Sequence, residues 1–68
     1  MNRVLFKKAL KDAKKNHQEL ATALGISNQS VTNKVGEVRS EFTNSEIKKI
    51  KTLLDLTDEQ LIEIFFRD

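Results

Sequence analysis

An all-α fold is predicted by three observations. Apolar residues recur at three- and four-residue spacing along the chain, the period of one helix face. Val, Ile and Thr occur but never alternate over a strand's length. Asn16 and Glu19, Thr43 and Glu46, and Thr57 and Gln60 each set a capping residue three positions ahead of Glu or Gln, a helix-start signature. The prediction is five short helices without a sheet, in one domain over residues 1–68.

The elements follow in order. The first helix runs from about Asn2, its cap, to Lys15. Leu5, Phe6, Ala9, Leu10 and Ala13 form its inward stripe, and five lysines surround the rest. The second is His17 to Leu24, with Leu20, Ala21 and Leu24 inward. Gly25 follows its end, where a left-handed conformation favours Gly, and Ile26 anchors the turn. Ser27 caps a third helix, Asn28 to about Val35, whose only apolar residues are Val31 and Val35. Gly36 ends it. A loop over 37–42 offers Val38 and Phe42 as anchors. The fourth helix runs from about Asn44 to Asp55, with Ile47, Ile50, Leu53 and Leu54 inward. The fifth runs from Asp58 to about Phe66.

Size and composition narrow the function. A chain of 68 residues buries only about 60% of the surface its unfolded form exposes. It has little room for a deep substrate pocket. With no cysteine and a single histidine, neither thiolate zinc sites nor multi-histidine metal sites can form. His17 is the only imidazole base, so no Ser-His-Asp arrangement is credible. The chain is therefore read as no enzyme, with no cofactor, metal or small-molecule ligand. No apolar run approaches a membrane span, and none follows the basic N-terminus as in a secretory signal. A cytoplasmic protein is expected.

Charge is unevenly placed. Residues 1–39 carry eight Lys/Arg against three Asp/Glu, whereas 40–68 carry four against seven. The basic half is either a polyanion-facing side or a solvated lysine-rich helix face.

The stretch 17–36 carries the functional signal. Helix-turn-helix recognition of DNA needs a small residue at a helix crossing, a tight turn and a second helix offering polar side chains to base edges. Ala21, Gly25 and the third helix supply these. Asn28, Gln29, Thr32 and Asn33 project outward from that helix. Asn and Gln can bond adenine N6 and N7 together, and Thr can bond an edge or touch a thymine methyl. The plainer reading of such a polar face is solvation; the motif around it favours DNA contact.

With Glu-Leu-Ala-Thr-Ala-Leu-Gly-Ile-Ser at 19–27, then Val31 and Val35, the chain resembles the Cro-like and Xre-type helix-turn-helix repressors of phages and bacteria. The segments 40–50 and 55–66 resemble the loop, fourth helix and terminal helix of small phage-encoded regulators in that group. The likeness implies a lambda-repressor-like, Cro-type bundle bound to double-stranded operator DNA. It implies base contacts from Ser27, Asn28, Gln29, Thr32 and Asn33. It also implies phosphate contacts from His17, Lys34, Arg39, Asn44 and Ser45. Two departures stand out. Lys34 occupies the position where the pattern has an aliphatic residue, which leaves the rotation of the third helix open. The recognition helix also lacks arginine, so the target is A·T-biased or partly read by shape.

The terminal segment is more apolar than one buried face requires. Leu61, Ile64 and Phe65 can turn inward, while Ile62 and Phe66 lie on another side. Either the helix is buried on both faces, or it meets a partner. The expectation is a homodimer through Ile62, Phe65 and Phe66, presenting two recognition helices to a palindromic operator about 34 Å apart. The competing reading is a protein-interaction module, such as an anti-repressor, acting through the same helix.

Overall fold

Every helix begins where a short polar side chain replaces a missing backbone partner. The computed structural model describes residues 1–36 and 41–66. Asn2 Oδ1 accepts the Leu5 N–H at 3.1 Å and opens α1 (Arg3–Asp12). Asn16 accepts from Glu19 and opens α2 (His17–Leu24). Ser27 accepts from Ser30 and opens α3 (Asn28–Val35). Thr43 and Thr57 open α4 (Asn44–Leu53) and α5 (Asp58–Leu61), each with a complete reciprocal capping box. At α2 only half the box forms, and Glu19 lies 3.6 Å from Lys15 instead. Among the described residues the fold is all-helical, with five short helices and no strand. None of these helices is long and apolar enough to cross a membrane.

Three helices end on one device, in which two successive N–H groups fold back onto the last carbonyls. After α1, the Lys14 N–H donates to the Lys11 carbonyl at 2.9 Å and the Lys15 N–H to the Leu10 carbonyl at 3.0 Å. After α2, Gly25 donates to Thr22 and Ile26 to Ala21; after α4, Asp55 donates to Thr52 and Leu56 to Lys51. The pivot of each is left-handed, with φ of +58° at Lys14, +70° at Gly25 and +53° at Asp55. Only Gly25 adopts it without a Cβ penalty; Lys14 and Asp55 each carry a cost of about 1–2 kcal/mol. These pivots stop α1 and α4 short of the expected Lys15 and Asp55. Gly36 ends α3 with an ordinary right-handed φ of −79°.

The terminal helix also differs from expectation. After Leu61 it continues to Phe66 as a π-helical turn, Ile62–Phe66, rather than as α-helix. The Asn2 N–H donates to the Ile64 carbonyl at 2.6 Å. That bond satisfies a carbonyl in the last turn, which has no partner within the helix, and ties the terminal helix to the start of α1.

The core sits where all the helices meet. Phe6, Leu20, Val31 and Ile50 are closed to solvent. Phe6 also packs against Phe42 and Phe65, with ring centroids 5.8 and 6.0 Å away. Phe42 is thus the anchor expected of it, while Val38 lies outside the described residues. Phe65, expected at a dimer contact, is half-buried with its ring packed on this interior cluster. Ile62 and Phe66 are exposed, at 47% and 61%.

Candidate nucleic-acid interface

The Gly25 turn packs α3 across α2, and Val31 and Val35 fix its rotation. Both valines are buried, which leaves Asn28, Gln29 and Thr32 exposed and Asn33 half-buried on the opposite side. The rotation left open by Lys34 is therefore settled by Val35.

Hydrogen bonds join this face to the start of α2. Asn28 Nδ2 donates to Gln18 Oε1 at 2.8 Å. Thr32 Oγ1 lies 3.5 Å from His17 Nδ1. Along α3, Gln29 Nε2 donates to Asn33 Oδ1 at 3.0 Å. The result is one polar surface of amides, a hydroxyl and an imidazole. Gln18 was missed by sequence reasoning. Its signal was available: it is a polar residue on the exposed side of α2, one turn before Thr22, whose hydroxyl donates to the Gln18 carbonyl.

Other expected site residues have different surroundings. Ser27 is exposed, but its hydroxyl accepts the Ser30 N–H and donates to Ser30 Oγ, so it serves the helix cap. Asn44 and Ser45 are exposed at the start of α4, and no hydrogen bond joins them to the α2–α3 face among the described residues. Arg39 lies outside the described residues.

Lys34, expected as a phosphate contact, ties two helices together in this structure. Its ammonium donates to Glu46 Oε1 and to the Glu41 carbonyl, each at 3.1 Å. The side chains of Lys34 and Glu46 are only 16% and 12% exposed. Glu46 Oε1 also accepts the Thr43 N–H at 2.8 Å, so one carboxylate closes the α4 cap and holds α3.

Burial pushes the Glu46 carboxyl up, but the Thr43 N–H and the Lys34 ammonium together outweigh it and hold the pKa below its ordinary 4.5. A carboxyl depressed by folding contributes stability above its unfolded value, and that stability is lost as pH falls through the folded value. Denaturant unfolding at about pH 6 and about pH 3 is expected to show a loss on acidification that is smaller in Glu46→Gln. Equal losses in the two proteins would remove Glu46 as its source.

Among the described residues, no group of three His, Cys, Asp or Glu is placed to hold a metal ion. The chain matches no protein-family model, no curated protein and no solved structure.

Proposed function

We propose that this chain is a sequence-specific regulator of transcription that binds double-stranded DNA, a Cro-like repressor of the phage type occupying a palindromic operator as a homodimer. The observation that carries the reading is the outward face of α3, with Asn28, Gln29 and Thr32 exposed, Asn28 bonded back to Gln18 on α2 and Gln29 bonded along α3 to Asn33. Side chains already fixed in place lose less entropy on meeting base edges. The face is rich in amides and has no arginine, which favours adenine-containing half-sites. His17 adds a donor at the start of α2, where the helix end favours an anion.

Selection of bound duplexes from a random-sequence pool at near-physiological salt tests this. A palindrome with half-sites about one turn, roughly 34 Å, apart is expected. No enrichment with folded protein would overturn the DNA reading. It would favour the interaction-module reading, for which the exposed Ile62 and Phe66 speak.

A further inference from the structure

Two exposed stripes, one on α1 and one on the terminal helix, match each other in pattern and sign. Val4, Lys7, Lys8 and Lys11 recur at i, i+3, i+4 and i+7 on α1, and all four are exposed. Glu59, Ile62, Glu63 and Phe66 recur at the same spacing on the terminal helix, and all four are exposed. Val4 is 77% exposed, the most open large apolar side chain described. None of these lysines or glutamates forms an ion pair among the described residues.

We infer that the α1 stripe of one copy docks antiparallel on the terminal-helix stripe of a second copy. In that register Val4 meets Phe66, Lys7 meets Glu63 and Lys11 meets Glu59. The Lys8 stem then lies over Ile62, covering apolar surface while its ammonium stays in water. The α1 stripe spans about 10 Å, and the terminal stripe is somewhat shorter, since its second half is the π turn Ile62–Phe66. The reverse, parallel register sets Val4 against Glu59 and loses the apolar contact.

Charge complementarity identifies the occupant as this same chain. α1 and the terminal helix are neighbours, joined by the Asn2–Ile64 bond. They flank a shared groove lined by Leu5, Lys8, Ala9 and Asp12 on α1 and by Gln60, Glu63 and Ile64 on the terminal helix. A two-fold axis beside that groove makes the contact twice, since each copy offers one basic and one acidic stripe. The inference rests on the proposed homodimer for its partner, but its test involves no DNA.

The test uses two charge-reversed full-length chains. One carries Lys7→Glu and Lys11→Glu, the other Glu59→Lys and Glu63→Lys. All four positions are exposed, and circular dichroism checks that both variants fold. Sedimentation equilibrium is expected to show wild type dimerising at low salt and each variant monomeric at 7.8 kDa. An equimolar mixture is expected to form a heterodimer, because both of its contacts regain opposite charge. Dimerisation of wild type is expected to weaken about tenfold at high salt, where exposed pairs are screened. A monomeric wild type, self-association of either variant like wild type, or a mixture that stays monomeric would each overturn the inference. DNA binding by the monomeric variants, followed separately by anisotropy, distinguishes failure of this contact from failure of the regulator reading.

Discussion

Phe6→Ala is expected to abolish stable folding or come close to it. Phe6 is fully buried and touches both other rings of the aromatic cluster. Truncating such a residue costs about 3–5 kcal/mol, from lost burial and the cavity left behind. Typical stability of roughly 0.05–0.15 kcal/mol per residue gives a domain this size only about 3–10 kcal/mol in total. The ring also joins elements distant in sequence: α1, Phe42 ahead of α4, and Phe65 at the end of the chain. Phe65→Ala should cost less, because Phe65 is only partly buried. Thermal unfolding by circular dichroism checks both. A Phe6→Ala loss below about 1 kcal/mol, or a larger loss for Phe65→Ala, would contradict this account of the core.

The helices were legible because their starts are encoded locally. The cap, the residue three positions on and the first inward residues lie within one turn, and α2 and α3 have the expected bounds. The ends were less legible. Lys14 and Asp55 take a conformation that local preference assigns to glycine, because Leu10, Leu54 and Leu56 are drawn into the core. The tie from the Asn2 N–H to the Ile64 carbonyl was hidden for a similar reason, since its two ends lie far apart in sequence. At the candidate site, the inward valines and outward amides could be read from spacing. The destination of Lys34 could not, since Glu46 is twelve residues away and is brought to it only because α3 and α4 both pack on α2. Gln18 could be placed on the exposed side of α2, but its partner could not, since Asn28 lies across the turn.

Gln29→Ala is expected to weaken binding to the selected operator by about 1–3 kcal/mol, or roughly 5- to 150-fold, and to relax preference at one base pair. The bond from Gln29 Nε2 to Asn33 Oδ1 leaves the Gln29 side chain with one N–H and its carbonyl oxygen free. That donor and acceptor match adenine N7 and N6. Asn33→Ala should therefore act partly through Gln29, by releasing it to other rotamers, and the double variant should lose less than the two single losses added. Lys34→Ala provides the contrast. A free phosphate contact would lower the salt slope by about one when removed. Because the Lys34 ammonium is held by Glu46 and the Glu41 carbonyl, its removal should instead lower stability and leave the salt slope unchanged. Anisotropy titrations at several salt concentrations, on the operator and on an unrelated duplex, separate these outcomes. If Gln29→Ala binds both duplexes like wild type, the amide face of α3 does not read bases. If Lys34→Ala flattens the salt dependence without loosening the fold, the ion pair with Glu46 opens when DNA binds.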